Sequence, residues 1–107
     1  MMITPASSIA GYRVVKTYGM VRGNTIRARN IGRDLLAVLK NMIGGEIEEY
    51  TKLMGESRDQ ALDRMTANAQ ELGANAVTDV RFMTSFIMGA ASEILAYGNA
   101  VTIEPES

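Results

Sequence analysis

Four arginines follow one another near the start of the chain, and no acidic residue lies between them: Arg22, Arg27, Arg29 and Arg33. A guanidinium binds phosphate or carboxylate oxygens through its charge and through paired hydrogen bonds. Repeated around an assembly of subunits, this arginine belt would form a positive surface that binds an anionic small molecule. The alternatives are that these arginines are solvated or form salt bridges between subunits.

Asp79 and Arg81 are two residues apart in a segment with the pattern of a β-strand, so their side chains should share one face of a sheet. Charges on an otherwise apolar sheet are costly unless they are matched. We therefore expect the two side chains to pair, within a subunit or across an interface, and to set the register of that interface. A polar lining for a central pore is the second interpretation.

A group of acids opens a predicted helix directly after a pair of glycines at positions 44 and 45. Acids in the first turn suit the positive end of the helix dipole, so an ordinary helix start explains them. The enzymatic alternative is a site built between subunits from carboxylates and an arginine. Its members would be Glu46, Glu48, Tyr50 and Arg58.

Histidine and cysteine are both missing from the chain. Their absence removes the Ser-His-Asp triad, the thiol nucleophile and the commonest ligands of soft metals. The eight methionines are scattered and are explained by core filling. We predict that the protein is not an enzyme, uses no cofactor and binds no soft or heavy metal; carboxylates would select hard ions such as Mg²⁺ or Ca²⁺.

Length and composition fit one globular domain, residues 1–107. The chain has 107 residues, a formal charge of −1 and 47% apolar residues. No apolar run reaches the roughly 20 residues that span a bilayer, and the N-terminus lacks the features of a signal peptide. We expect a cytoplasmic protein. Nucleic acid is not an expected partner, because the pI is about 5.4 and no aromatic residue lies within the arginine belt for base stacking.

Hydrophobic periodicity predicts an α+β fold of order β-α-α-β-β, with helices on one face of a small, mainly antiparallel sheet. The first helix begins at the N-cap Asn30, and Gly73 ends the second helix in the left-handed conformation. A turn is expected at Gly23-Asn24. The strands are predicted at residues 12–22, 76–86 and 91–103, and the second helix at residues 46–72. The apolar stripe of that helix consists of Ile47, Tyr50, Met54, Ala61, Met65, Ala69 and Leu72.

Both faces of the predicted sheet are apolar, although only one of them can pack against helices. In the last strand the small residues on one face suit close packing of a helix, so the other face needs a different cover. The middle strand repeats the pattern, with Ala76, Val80, Phe82 and Phe86 on one face and Val77, Asp79, Arg81, Met83 and Ile87 on the other. A closed ring of subunits would cover the second face and pair the sheet edges. In the last strand that face carries Leu95, Tyr97, Val101 and Ile103.

Several segments together resemble the YbjQ-like family of small bacterial and archaeal proteins. They are MIGGEIEEY at 42–50, AL at 61–62, LGANAV at 72–77, AYGNAV at 96–101 and ITP at 3–5. The resemblance covers essentially the whole chain. It implies a β-α-β-β fold like that of dodecin subunits and assembly into pentameric rings, sometimes paired. The family often carries a heavy-metal-binding label, and its pattern would place a pocket at the glycine pair and the acids that follow it.

The sequence therefore predicts a non-enzymatic homo-oligomer that forms a ring, with a small ligand or ion at its junctions or a scaffold role. The resemblance implies that the ring has five subunits. Two alternatives stay open. One is an anion-binding module that uses the arginine belt, and the other is the intersubunit enzyme described above.

Overall fold

The computed structural model describes residues 1–26, 45–87 and 91–106. In these ranges the chain forms the strands β1 (Met2–Ile3) and β2 (Tyr12–Ile26), the helix α1 (Gly45–Leu72), and the strands β3 (Ala76–Ile87) and β4 (Ala91–Pro105). The strand order is β1-β3-β4-β2. Because β1 runs parallel to β3 and the other pairs are antiparallel, the sheet is mixed. The α+β class is confirmed.

Two predictions about local structure were wrong, and one lies outside the described residues. Gly23 and Asn24 do not form a turn but continue β2, which ends only at Ile26. The two-residue strand β1 was missed, since it is too short to show any periodicity. The helix predicted to begin at Asn30 falls outside the part of the chain that the structure describes.

The core lies between α1 and one face of the sheet. Ala61, Met65 and Ala69 are fully buried, as the predicted apolar stripe requires, and Ser57 continues that stripe towards the N-terminus. Leu72 was expected on the same stripe but is half exposed. On the sheet side, the packing surface is made of small and β-branched residues, namely Val21, Val77, Val80, Ile94, Ala96 and Ala100.

A left-handed glycine ends α1 as predicted. Gly73 has a φ of +95°. Its N–H donates to the Gln70 carbonyl at 3.0 Å, and the N–H of Ala74 donates to the Ala69 carbonyl at 3.1 Å. These two bonds are those of a Schellman motif, which satisfies carbonyls at the end of a helix.

A β-bulge at Asp79 changes the faces of β3. Asp79 has a φ of +55°, and the pairing of β3 with β4 shifts between Thr78 and Arg81. The extra residue reverses the alternation of side chains before the bulge relative to those after it. As a result Val77 packs with Val80 on the helix side, whereas Ala76 packs on the opposite side. The prediction that placed Ala76 with Val80 was wrong for this reason.

The sheet face opposite α1 is covered at one end by the chain's own N-terminal segment. Ile9 and Tyr12 pack against Ala76, Val101 and Ile103. The expectation that Val101 and Ile103 need an outside cover was therefore wrong. The faces assigned to β4 are otherwise confirmed, since Ile94, Ala96 and Ala100 belong to the core under α1.

The molecule is elongated. Its Cα radius of gyration is 17.0 Å, whereas a compact chain of this length has a radius of about 13 Å. The principal extents are 57, 27 and 16 Å. In the described part of the chain, α1 is not apolar enough to cross a membrane.

Candidate functional site

The other end of the same sheet face carries the candidate site, which we call the open face. Directly paired residues of neighbouring strands share a face, so the pairing register gives its composition row by row. Tyr97 of β4 is the partner of both Arg81 and Arg22, and Leu95 is the partner of both Met83 and Asn24. The open face consists of Met20, Arg22, Asn24 and Ile26 of β2, Arg81, Met83 and Ser85 of β3, and Glu93, Leu95 and Tyr97 of β4.

Apolar side chains on the open face are strongly exposed. Met20 is 73% exposed, Ile26 57% and Met83 55%, and Leu95 and Tyr97 in the middle strand are only partly buried. Exposed apolar residues are ordinary when scattered, but a contiguous patch marks a surface that another molecule covers. On the open face Met83 and Tyr97 both adjoin Leu95, and these three residues form such a patch.

Two arginines flank a tyrosine in one row across the open face. Arg22 and Arg81 lie on either side of Tyr97, and two strand spacings place their Cα atoms about 10 Å apart. The side chain of Arg22 is exposed to solvent. Arg81 uses Nη1 to donate to the Pro5 carbonyl at 2.8 Å and to its neighbour Val80 at 2.9 Å. The row presents two cations and a phenol to anything that lies on this face.

A polar bridge joins two strands beside the apolar patch. The side-chain amide of Asn24 donates to the Glu93 carboxylate at 3.0 Å. This bond crosses from β2 to β4 and fixes both side chains on the open face. Asn24 and Glu93 are therefore held in fixed positions. A molecule that covers them must offer matching hydrogen-bond groups, because polar groups that are buried without partners cost free energy.

Asp79 and Arg81 both hold the N-terminal segment of the chain. The Asp79 carboxylate accepts hydrogen bonds from the hydroxyl of Ser7 at 2.9 Å and the amide of Asn99 at 3.2 Å. The N–H of Asp79 donates to the Ala6 carbonyl at 3.0 Å, and Arg81 binds the Pro5 carbonyl. Within the described residues no direct ion pair joins the two side chains; the ion pair found there joins Arg13 and Glu104.

The hydrogen bonds around Asp79 stabilise its charged form. The hydroxyl of Ser7 contributes most, and it lowers the pKa of the carboxyl below the ordinary value of 3.8. Thr78, Asn99 and the positive charge of Arg81 lower the pKa further, and partial desolvation opposes them. Asp79 is therefore ionised at neutral pH and serves as an acceptor that anchors residues 4–7.

The other predicted site residues belong to α1 or lie outside the described residues. Arg27, Arg29 and Arg33 lie outside the described residues. The backbones of Glu46, Glu48 and Tyr50 belong to the first turns of α1. Arg58 is exposed and follows Glu46 by twelve residues in α1, which corresponds to about 18 Å along the helix axis. Because α1 packs on the opposite face of the sheet from Met54 onwards, Arg58 is separate from the open face.

Sequence reasoning missed the alignment of Arg22, Tyr97 and Arg81. Each of the three residues was named, but two register shifts in β2 and one in β3 decide which of them are neighbours. It also missed that Arg64 and Asn68 of α1 bind backbone carbonyls of β2. The one available signal was their spacing of four residues, which places them on one side of a helix.

The donors of this chain do not fit a heavy-metal site. Soft metals are bound by thiolates and imidazoles, and the chain has no cysteine or histidine. Among the described residues, no three carboxylates come close enough together to hold a metal ion. The Asp79 carboxylate already accepts hydrogen bonds from Ser7 and Asn99.

Comparison with known proteins gives one consistent family. Residues 1–104 match a family model described as "Putative heavy-metal-binding" (YbjQ). A UPF0145 protein of Dehalococcoides mccartyi is 52% identical over 104 residues, which are 97% of this chain and 100% of that protein. A UPF0145 protein of Pyrococcus abyssi is 50% identical over 106 residues, which are 99% of this chain and 93% of that protein.

A solved structure supports the fold. The crystal structure of a protein of unknown function from Pediococcus pentosaceus, assigned to the DUF74 family, superimposes with a TM-score of 0.63 and covers 97% of this chain and 98% of its own. Its sequence identity to this chain is 18%, so this likeness concerns the fold alone. The match to the family model and the identities of the relatives show that the chain belongs to the YbjQ-like family, also called UPF0145.

Proposed function

We propose that this protein is a cytoplasmic, non-enzymatic homo-oligomer in which subunits form a ring through the open face. The ring would bind a small ligand or ion at its junctions or act as a scaffold. The observation that carries this proposal is the exposure of Met20, Ile26 and Met83 around Leu95 and Tyr97. The family resemblance implies five subunits.

The shape of the single chain supports the same proposal. A radius of gyration well above that of a compact chain means that much of the surface belongs to thin, extended elements. Such a chain buries less apolar surface by itself, and contact with further copies supplies the rest. The register between subunits would then be set by polar groups on the open face. These groups are Glu93, which is bonded to Asn24, and the cations of Arg22 and Arg81.

Native mass spectrometry of the gently purified protein tests the proposal. We expect a defined assembly of several 11.6 kDa chains in the wild type. Replacing Leu95 and Tyr97 together with lysine should abolish species larger than two chains, because two charges would be buried without partners. A lysine at the exposed Gln60 of α1, on the other side of the molecule, should leave the assembly intact.

Two results would contradict the ring. One is a wild-type protein that is monomeric at micromolar concentration. The other is a lysine double variant that keeps the wild-type subunit number and its circular dichroism spectrum. A mass per subunit in excess of the chain would identify a bound ligand in the same experiment.

Anion binding is a second candidate function, favoured by the row of Arg22, Tyr97 and Arg81. Two arginines whose Cα atoms are about 10 Å apart can direct their guanidiniums to one ligand with two anionic groups, such as a diphosphate. Pyrophosphate is the probe, and its affinity should fall steeply between 20 and 200 mM salt, since the contacts are exposed. Arg22→Gln should weaken pyrophosphate binding at least about tenfold. The control is Arg13→Gln, which should leave the affinity unchanged, because Arg13 lies outside the open face and pairs with Glu104. Binding that resists salt or survives Arg22→Gln would contradict this candidate.

A further inference from the structure

Two methionines on the open face are strongly exposed, whereas a third is sealed in the core. Met20 of β2 is 73% exposed and Met83 of β3 is 55% exposed, but Met65 of α1 is fully buried. Met2 is also exposed, but it belongs to β1, which pairs with the start of β3 at the other end of the sheet. Burial therefore separates side chains of the same chemistry into accessible and protected positions.

Thioethers are the groups that peroxide oxidises in a chain that has eight methionines and no cysteine. The sulfur lone pair attacks one oxygen of hydrogen peroxide, and the S–O bond forms as the O–O bond breaks. The proton of the transferred oxygen moves to the departing hydroxide, which leaves as water. Sulfur is thus oxidised by two electrons and the peroxide is reduced. The product, methionine sulfoxide, is polar where the thioether was apolar.

Each of these two methionines has an arginine two residues away on its own strand. Arg22 follows Met20 in β2, and Arg81 precedes Met83 in β3. Alternate residues of a strand share one face and lie about 7 Å apart, a distance that long side chains span. A guanidinium carries five N–H donors, and a thioether is only a weak acceptor. A sulfoxide oxygen is a strong acceptor, so oxidation gives each arginine a new hydrogen-bond partner beside it.

Oxidation would change the open face at two places. Met83 is the direct partner of Leu95 in the apolar patch, so a sulfoxide there puts a polar oxygen among apolar side chains. Met20 lies in the row beside that of Arg22, and a sulfoxide there takes donors from that guanidinium. A polar group that is covered without hydrogen bonds costs free energy. Both changes therefore oppose a contact that fits the unoxidised face.

We propose that Met20 and Met83 are a pair of oxidation sites, and that their conversion to sulfoxides by hydrogen peroxide prevents the open face from binding its partner. The change is reversible, because methionine sulfoxide reductases restore the thioether. The effect on assembly rests on the ring proposed above. The selective oxidation of Met20 and Met83 over Met65 rests only on their exposure.

The unassembled subunit is the form that peroxide oxidises in this proposal. A ring that forms through the open face covers the sulfurs of Met20 and Met83 and shields them from the oxidant. Oxidation therefore acts on subunits that are newly made or have dissociated, and it keeps them out of the ring until they are reduced. The pair controls how many subunits are competent to assemble.

Peptide mass spectrometry after brief exposure to hydrogen peroxide tests the selectivity. The folded free subunit is the Leu95→Lys, Tyr97→Lys double variant, and wild-type protein at nanomolar concentration gives the same comparison without a substitution. We expect sulfoxide to form at Met20 and Met83 at least about tenfold faster than at Met65. In protein unfolded by urea, the control, the three residues should react at similar rates. Equal rates at the three positions in the folded free subunit overturn the proposal.

Two double variants test the effect on the open face. Met20→Gln, Met83→Gln imitates the oxidised state, since glutamine is close to methionine in size and carries a polar oxygen. Met20→Leu, Met83→Leu is the matched variant that keeps both positions apolar. In native mass spectrometry of a dilution series, the glutamine variant should need at least about tenfold more protein than the leucine variant to assemble. Equal assembly of the two variants overturns the effect on the open face.

Prolonged treatment with peroxide separates this proposal from the ring itself. The wild-type assembly should disperse and should re-form after incubation with a methionine sulfoxide reductase and a thiol reductant. The leucine variant, which retains Met2, should keep its own subunit number. A wild type that is monomeric without peroxide but is oxidised selectively at Met20 and Met83 supports the oxidation sites and contradicts the ring. A ring that persists with sulfoxide at both positions does the reverse.

Discussion

The backbone nitrogen of Met65 lies where a β-carbon on Gly23 would have to be. The carbonyl oxygen of Ala61 is equally close to that position, and the carbonyl carbon of Arg64 is 2.8 Å from it. The helix α1 therefore rests directly on the backbone of β2, with no side chain between the two. This contact explains why a glycine occupies the middle of a strand, where it is otherwise unfavourable.

Gly23→Ala should destabilise the protein by about 2–3 kcal/mol, because a rigid backbone and not a flexible side chain must move. Gly55, inside α1, has open space at the same position, so Gly55→Ala should stabilise by about 0.5–1 kcal/mol through helix propensity. Urea unfolding at one fixed protein concentration measures both. Equal stability of Gly23→Ala and the wild type would contradict the packing described.

Asn75 acts as a substitute for a stretch of backbone beside β4. Its amide donates to the Ile103 carbonyl at 3.0 Å, and its carbonyl accepts from the N–H of Ile103 at 2.7 Å. Asn75→Ala should cost about 1–3 kcal/mol, since it leaves both groups of Ile103 without these partners. Asn68→Ala, at an exposed residue with one bond to the Arg22 carbonyl, should cost less. Thermal unfolding would show the order, and the reverse order would count against this role.

The pKa of Asp79 should rise when Ser7 is changed to alanine. Ser7 is the largest cause of the lowered pKa, so Ser7→Ala should move the pKa towards the ordinary value of 3.8, as measured by NMR titration of the Asp79 carboxyl. Ser8→Ala is the neighbouring control. An unchanged pKa in Ser7→Ala would show that the hydroxyl is not the main donor.

The same hydrogen bonds predict how stability depends on pH. A carboxyl whose pKa is lowered by folding stabilises the folded state above its unfolded pKa, and this stabilisation is lost as the pH falls through the folded pKa. The stability difference between the wild type and Asp79→Asn should therefore be constant above pH about 5 and should shrink below pH about 4. A difference that grows towards low pH would contradict the anchoring role of Asp79.

The donor chemistry predicts weak binding of soft metals. After dialysis against micromolar Cd²⁺ or Zn²⁺ and a rinse in metal-free buffer, elemental analysis should find far less than one ion per chain, because thiolate and imidazole ligands are lacking. A retained ion at one per chain would show that carboxylates and thioethers form a site that this reasoning excludes. A relative with cysteine or histidine would serve as the positive control.

The positions of the long elements follow from local patterns. The helix begins within one residue of its predicted start and ends at the predicted residue, because the spacing of Ala61, Met65 and Ala69 and the glycine at 73 are properties of neighbouring residues. The two C-terminal strands were also placed to within two residues. An apolar second sheet face was visible for the same reason, from alternation along β4.

Which residues meet across the sheet was decided by the tertiary structure. The bulge at Asp79 is held by a hydrogen bond from its N–H to the Ala6 carbonyl and by one from the Ser7 hydroxyl to its carboxylate, both more than seventy residues away. No local pattern records such a contact. The bulge moved Ala76 to the face that the N-terminal segment covers. The register shifts of β2 brought Arg22 into the row of Tyr97 and Arg81.

By itself the sequence determined the fold class, the long helix, the three long strands, the apolar character of both sheet faces and the absence of the residues that soft-metal and thiol chemistry require. The tertiary structure decided which part of the second face stays open and which side chains share a row. The physical reason is that a shift of one residue exchanges every side chain between the two faces of a strand. Such shifts depend on contacts between distant segments, whereas composition and periodicity depend on neighbours alone.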